Sequence, residues 1–195
     1  MISIPQFVAI IWLIFVLYWF ISALSVKSIQ ETRGWLGGNW YPFLYLIGVL
    51  FIVNFKFLAR FGVPIGTLGI ILFQHTVVQN IVVVILLIVG ILIAIIARRT
   101  LAGNWSGQVA LKKDHELITG GLYQYIRHPI YTGMLMMILG TALSQGTLGA
   151  TIGFLIILFG VLFKLKDEEA LLTEHFAQAY SAYKQRTKRL IPFVW

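Results

Sequence analysis

Residues 129–163 read PIYTGMLMMILGTALSQGTLGATIGFLIILFGVLF, and no charged side chain interrupts this stretch. A helix needs roughly 20 apolar residues to cross the hydrocarbon core of a membrane, so the stretch is long enough for two crossings. Its midpoint, Ser144-Gln145-Gly146, has the polar and glycine residues typical of a tight turn. The stretch therefore predicts a hairpin of two membrane helices, which become the fourth and fifth spans below.

Three more apolar runs precede this hairpin, at residues 4–25, 40–55 and 77–97, and basic residues bound each of them. Together they predict five transmembrane helices. Residues 62–73 are also apolar, but the segment is short and rich in glycine and proline. We expect it to be re-entrant or interfacial rather than membrane-spanning.

The composition supports a membrane protein. Hydrophobic residues make up 59% of the chain, charged residues only 11%, and the mean hydropathy is +0.88. Too little polar surface remains to cover a soluble globule. We therefore predict an all-α polytopic protein with one membrane domain, residues 1–195, in which residues 1–99 hold the first three spans and residues 100–195 hold the chemistry and the last two. The chain has no cysteine, which excludes disulfides and thiolate metal sites.

The net charge of +8 does not indicate nucleic-acid binding, because the basic residues lie beside apolar runs, where they suit anionic lipid headgroups. Five spans place all but two of the fifteen lysines and arginines on one side of the membrane; the exceptions are Lys56 and Arg60. Cytoplasmic loops carry such an excess. We expect that side, with the long loop and the C-terminal tail, to face the cytosol.

Nearly all acids and histidines fall in two segments, residues 100–128 and 164–189, which this topology brings to the same membrane face. In the first segment, Thr119-Gly120-Gly121 predicts a tight reversal within a hairpin-like loop over the bilayer. The loop ends in Arg127-His128-Pro129, with the proline suited to the first turn of the fourth span.

In the second segment, Leu172, Phe176, Tyr180 and Tyr183 recur at helical spacing. They predict an amphipathic helix that continues from the fifth span along the interface. One turn earlier, the same stripe carries Glu168-Glu169 in place of apolar residues. A carboxylate in such surroundings needs a polar partner or a ligand, so this pair is a candidate functional site.

Simpler interpretations exist for each residue alone. Arg127 and Lys164 suit basic anchors that extend to the headgroups, and His128 suits a hydrogen-bonded helix terminus. The tyrosines suit an interfacial aromatic belt. The four histidines form none of the clusters that catalytic metals require, so we predict no metal site.

The motifs in combination are more specific than any residue alone. They are Gln108, His115-Glu116-Leu117-Ile118, Gly121-Leu122-Tyr123, Arg127-His128-Pro129-Ile130-Tyr131-Thr132-Gly133, Glu168-Glu169, Phe176, Tyr180, Tyr183 and Arg189-Leu190-Ile191-Pro192. In order and spacing, from Gln108 to Pro192, this pattern resembles the isoprenylcysteine carboxyl methyltransferase family. These are polytopic membrane methyltransferases related to phospholipid N-methyltransferases.

The resemblance implies that a cytosolic loop binds S-adenosylmethionine. The residues it implies for this cofactor are Gln108, His115, Glu116, Leu117, Ile118, Tyr123, His128, Tyr131 and a carboxylate at Glu168, with Glu169 as the nearest alternative. It also implies that Lys164, where the prenylcysteine enzymes have arginine, contacts the substrate.

The expected function is methyl transfer from S-adenosylmethionine to a lipidic acceptor, foremost the C-terminal carboxylate of a prenylated cysteine. Arg127 is predicted to orient an anionic reactant through its bidentate guanidinium. The alternatives are an amine N-methyltransferase, in which Glu168, Glu169 or His128 accepts a proton, and a non-enzymatic membrane transporter or scaffold.

Overall fold

The computed structural model describes residues 2–32, 40–53, 65–73 and 76–194, and these residues are mostly helical. Of the predicted features, Arg33, Lys56 and Arg60 lie outside the described residues. The α-helices are α1 (Ile4–Ala23), α2 (Tyr41–Val53), α3 (Ile65–Leu68), α4 (Val77–Leu101), α5 (Pro129–Gln145) and α6 (Leu148–Arg186).

Side-chain caps explain where the long helices begin. Ser3 and Gln6 form a reciprocal capping box at the start of α1. The side chains of Thr76 and Thr147 accept hydrogen bonds from the backbone N–H groups of Gln79 and Ala150, at the starts of α4 and α6. Each cap satisfies a donor that a helix N-terminus otherwise leaves unpaired.

The predicted hairpin turn is confirmed. Helix α5 ends at Gln145, and Gly146 adopts the left-handed conformation with φ +65° before α6 begins at Leu148. A side chain at Gly146 would also meet the carbonyl oxygen of Phe73 at 2.8 Å. The turn therefore requires glycine for both its conformation and its close contact.

Among the described residues, three helices, α1, α4 and α6, are long and apolar enough to cross a membrane, whereas α2 is a shorter apolar helix. These helices agree with the prediction of a membrane protein. The five-span count stays a prediction, because α2 and α5 have only 13 and 17 residues. Helix α6 continues beyond a membrane's thickness to Arg186, with a single non-helical residue at Ala177 (φ 46°, ψ −113°).

Hydrogen bonds show how the helices run relative to one another. At one end, here called the polar end, Tyr41 at the start of α2 donates to Asp167 of α6, and Lys27 after α1 donates to Asn104 after α4. At the other end, the turn end, Gln79 at the start of α4 donates to the carbonyl of Leu143. Helices α1, α2, α4, α5 and α6 therefore alternate in direction between the same two ends.

Glycines allow the closest helix contacts. Gly90 of α4 faces Gly133 of α5, and a Cβ on either would collide with the other's carbonyl oxygen. Gly48 of α2 and Gly153 of α6 face each other in the same way. Small residues at such positions let helix backbones approach closely, which is typical of membrane helix pairs.

Two local predictions need correction. The fold is not purely helical, because β1 (Ile29–Thr32) pairs antiparallel with β2 (Ala110–Lys112). The hairpin-like loop is also wrong: Gly121, with φ +60°, does begin a tight turn, but Ile126 pairs with Lys188 near the C-terminus. A distant segment supplies the backbone partner that a local hairpin would have supplied.

The described part of the predicted re-entrant segment lies at the turn end. Leu72 and Phe73 both donate backbone hydrogen bonds to the carbonyl of Gly146, and Ile71 bridges to Thr147. These contacts hold residues 70–73 against the α5–α6 turn, and the re-entrant or interfacial position of the segment stays a prediction.

Candidate functional site

A cleft at the polar end collects side chains from both polar segments. It lies between the loop after α4, the start of α5 and the second half of α6. Its lining residues are Leu101, Asn104, Trp105, Ser106, Gln108, Ala110, His115, Glu116, Leu117, Ile118, Tyr123, Arg127, His128, Ile130, Tyr131, Glu168, Leu171, Leu172, Tyr180 and Tyr183. All nine residues that the family resemblance implied for a cofactor lie in this cleft.

Glu168 directs its carboxylate toward the cleft. The Tyr131 hydroxyl donates to Glu168 Oε1 at 2.6 Å. His128 Nδ1 lies 3.7 Å from Glu168 Oε2, and Lys164 Nζ lies 3.8 Å from Oε1. The side chain retains 18% exposure, so the carboxylate is held by neighbours and still accessible from the cleft.

Glu169 points elsewhere, into a buried ionic network. Its Oε1 accepts from Arg127 Nε at 2.8 Å, and its Oε2 accepts from Arg189 Nη2 at 2.7 Å. His128 Nε2 lies 3.2 Å from the same Oε1. The network joins α6 to the start of α5 and to the C-terminal segment. Of the Glu pair, the geometry therefore favours Glu168 as the carboxylate that meets a ligand.

Arg127 lines the cleft, but its side chain is largely buried and also bonds to groups outside the cleft. Its side chain is 10% exposed, and besides Glu169 it donates to the carbonyl of Thr187. The backbone N–H of Arg127 also donates to the carbonyl of Lys188 at 2.8 Å. The membrane-anchor interpretation does not describe this buried geometry, and the predicted orienting role stays a prediction.

His115 lies where the loop folds over the cleft. Its Nδ1 accepts a hydrogen bond from the backbone N–H of Lys112 at 3.3 Å. Burial lowers the pKa of His115, and the nearby charges of His175, Lys27 and Lys112 lower the pKa further. The imidazole is therefore neutral at physiological pH, as its role as an acceptor requires.

Two tyrosines from the predicted helical stripe line the cleft, Tyr180 and Tyr183. The Tyr183 hydroxyl donates to the carbonyl of Tyr123 at 2.6 Å. The Tyr180 hydroxyl is buried and has no hydrogen-bond partner within the described ranges. A buried unpaired hydroxyl is unfavourable, and here it belongs to a residue that lines the cleft.

A second space, here called the apolar cavity, lies between α1, α2, α5 and α6. It has a volume of about 700 Å³. Its lining residues are Pro5, Val8, Ala9, Trp12, Trp19, Tyr45, Val49, Ile52, Trp105, Ser106, Gly107, Ile130, Tyr131, Met134, Leu135, Ile138, Thr141, Gln145, Ile157, Val161 and Lys164. It shares Trp105, Ser106, Ile130 and Tyr131 with the cleft, so the two spaces adjoin at these residues.

Lys164 lines the apolar cavity rather than the cleft. It is 7% exposed, and its Nζ donates to the carbonyl of Gly107 at 2.7 Å. One helical turn later, Glu168 lines the cleft. The predicted substrate residue and the predicted cofactor residue thus lie on one helix, each facing a different space.

Sequence reasoning missed Trp105, Ser106 and Tyr45. Trp105 and Ser106 lie in the polar segment beside Gln108, so their position was a usable signal. Tyr45 lies inside an apolar run, where a lone tyrosine gives no sign of facing a cavity.

Residues 82–174 match the model of the isoprenylcysteine carboxyl methyltransferase (ICMT) family, which confirms the predicted resemblance. The chain is similar to protein-S-isoprenylcysteine O-methyltransferase of Schizosaccharomyces pombe, with 35% identity over 83 residues, 42% of this chain and 35% of that protein. It is also similar to the Saccharomyces cerevisiae protein of the same name, with 32% identity over 112 residues, 56% of this chain and 47% of that protein.

A third relative, protein-S-isoprenylcysteine O-methyltransferase A of Arabidopsis thaliana, is 29% identical over 124 residues, 62% of each chain. The alignments to the first two proteins cover less than half the length of each. The family match includes α5, the first polar segment and the start of the second, up to Glu174. It leaves out α1 and α2, which form one side of the apolar cavity.

Proposed function

We propose that this protein is an integral membrane methyltransferase that moves a methyl group from S-adenosylmethionine to a lipidic acceptor, foremost the C-terminal carboxylate of a prenylated cysteine. One observation carries the proposal: a polar cleft and a large apolar cavity adjoin at Trp105, Ser106, Ile130 and Tyr131. A water-soluble donor and a lipidic acceptor need such a junction. The names of the relatives and the family match support the same reaction.

The residues of the cleft fit S-adenosylmethionine, which when bound supplies a methyl group on a sulfonium cation. Glu168 offers a carboxylate for the donor's amino or hydroxyl groups, and the tyrosine rings offer faces that attract a cation. The unpaired Tyr180 hydroxyl can hydrogen-bond to a ligand. The cleft has a volume of about 120 Å³, so a nucleoside ligand would extend beyond it.

The apolar cavity suits the acceptor's hydrocarbon chain. Ile138, Ile157 and Val161 form part of its wall. Burial of apolar surface contributes roughly 25 cal/mol per Å². The hydrocarbon chain would hold the acceptor in the cavity while the acceptor's polar group reaches the junction at Tyr131.

The protein's part in the chemistry is mainly alignment and exclusion of water. Correct alignment of two reactants can lower a barrier by about 7–11 kcal/mol. A carboxylate acceptor is already ionised at neutral pH and needs no base. An amine acceptor would have to lose a proton, and Glu168 and His128 are the cleft residues that could accept it.

The topology is part of the proposal. We infer five crossings, because five helices alternate between the polar end and the turn end. Lys27, Lys112 and Lys164 lie at the polar end, where the positive-inside rule places the cytosol. A cytosolic polar end would give the cleft direct access to S-adenosylmethionine.

The proposal is tested with protein purified in detergent. We expect calorimetry to show binding of S-adenosylmethionine, and radiolabelled methyl transfer to N-acetyl-S-farnesyl-cysteine in preference to phosphatidylethanolamine. Preference for the phospholipid would instead support the N-methyltransferase alternative. No donor binding by folded protein would refute a methyltransferase of either kind.

A further inference from the structure

Tyr45 of α2 has a buried hydroxyl without a hydrogen-bond partner among the residues that the structure describes. Burial of a donor without a partner is unfavourable. Tyr45 lies outside residues 82–174, so the family match says nothing about it. The hydroxyl belongs to a residue that lines the apolar cavity, which places an unsatisfied polar group in a mostly apolar space.

Contacts with α6 fix the height of Tyr45 in the bundle. One turn earlier on α2, the Tyr41 hydroxyl donates to Asp167 at 2.7 Å. On the turn-end side, a Cβ at Gly160 would lie 2.9 Å from Cε1 of Tyr45. Because α2 and α6 run in opposite directions, Tyr45 lies at the level between Gly160 and Asp167, which is the level of Lys164.

Lys164 is the cationic residue of the same cavity. It is buried, and its Nζ donates one hydrogen bond to the carbonyl of Gly107 and lies 3.8 Å from Glu168 Oε1. An ammonium group has three donors, so this bond leaves donor capacity. At the polar end of the cavity, a hydroxyl and an ammonium group therefore line one space whose remaining wall is largely apolar.

A ligand that complements these groups has an apolar chain and an anionic, hydrogen-bond-accepting head. We propose that the Tyr45 hydroxyl, together with Lys164, binds the carboxylate of the lipidic acceptor. The inference rests on the proposed function for the identity of that acceptor. It makes Tyr45 a specificity-determining residue, since an ammonium head would bring a second cation to Lys164, whereas a carboxylate accepts hydrogen bonds from both groups.

The test is the binding of S-farnesylthioacetic acid and of its primary amide, measured calorimetrically without methyl donor. We expect the wild type to bind the acid more tightly than the amide. Tyr45→Phe should weaken acid binding about tenfold or more, the scale of one hydrogen bond to a charged group, and should change amide binding little. Tyr41→Phe is the matched control, because its hydroxyl is already paired with Asp167 and Tyr41 lines neither space; it should bind the acid like the wild type.

A second readout needs no ligand. Loss of an unpaired buried hydroxyl should leave the melting temperature of Tyr45→Phe unchanged or higher, whereas Tyr41→Phe should melt lower because it loses a hydrogen bond. Acid binding by Tyr45→Phe at wild-type strength would overturn the inference, and so would a melting loss as large as that of Tyr41→Phe. If the wild type binds the acid through Tyr45 but transfers no methyl group, the proposed function fails and the carboxylate site stands.

Discussion

At the scale of single residues, two neighbouring glutamates have different surroundings. Glu168 faces the cleft and accepts from Tyr131, whereas Glu169 is enclosed by Arg127, His128 and Arg189. Adjacent residues on a helix point about 100° apart, so the two carboxylates reach different neighbours. Both Glu168 and Glu169 were predicted as candidates from their place on an apolar stripe, but that stripe alone does not tell which one faces the ligand.

The pair yields a prediction with its own control. Glu168→Gln should weaken S-adenosylmethionine binding about tenfold or more, because a charge-assisted hydrogen bond of about 1.5–3 kcal/mol is lost, and should change the melting temperature little. Calorimetry and thermal melting in detergent measure the two effects. Unchanged donor affinity in folded Glu168→Gln would remove this carboxylate from the site.

Glu169→Gln should do the reverse. It leaves the guanidinium groups of Arg127 and Arg189 without their carboxylate, and breaking a buried ion pair costs about 3–5 kcal/mol. Because Arg189 is partly exposed, at 29%, we expect the lower end of that range, measured as a clear fall in melting temperature. A Glu169→Gln protein as stable as the wild type would mean that the network does not hold the C-terminal segment.

At the scale of elements, the helices and their ends could be predicted from the local sequence, whereas the pairing of distant backbone segments could not. Caps, glycines and apolar length lie in the local sequence, so the α5–α6 hairpin could be predicted from residues 144–146. The partner of Ile126 is Lys188, far along the chain, and nothing near residue 126 indicates it. The same holds for β1 and β2, which pair although α2, α3 and α4 lie between them in sequence.

The contact between α4 and α5 gives a prediction at this scale. In Gly133→Ala, the new Cβ would meet the Gly90 carbonyl oxygen and lie 2.7 Å from the Ala94 nitrogen. Backbone atoms cannot move aside as a flexible side chain would, so we expect a stability loss of about 1–3 kcal/mol. Thermal melting measures it.

Gly120→Ala is the matched control, because a Cβ there meets nothing within 4 Å and the φ of −91° suits alanine. It should melt like the wild type. Equal melting of Gly133→Ala and the wild type would show that α4 and α5 do not pack as described.

At the scale of the whole molecule, composition predicts the membrane environment but not the position of the cavity. The apolar cavity needs side chains from four helices, of which α1 and α2 lie far from α5 and α6 in sequence, and its α2 wall lies outside the family match. The cleft was more predictable, because both of its polar segments flank the last two predicted spans. The sequence therefore indicated the residues of the cleft and left most of the apolar cavity undetected.

Topology is tested at this scale. The chain has no cysteine, so single cysteines report without background. Lys113→Cys at the polar end and Gln145→Cys at the turn end are both exposed positions, and in sealed cells an impermeant thiol reagent should label Gln145→Cys from outside. Lys113→Cys should react only after the membrane is permeabilised. Labelling of both from the same side would contradict the five-crossing arrangement.

Helix α6 carries Lys164 into the apolar cavity and Glu168 into the cleft, and it is helical throughout that interval. Four residues advance the helix by about 6 Å, and one inserted residue would turn everything beyond it by about 100°. Such an insertion would leave the composition almost unchanged, yet it would rotate the carboxylate out of the cleft. The four-residue interval thus fixes both the distance and the angle between the side chain in the apolar cavity and the side chain in the cleft. A search for distant proteins built in this way should hold the interval constant, while it lets the surrounding loops vary in length.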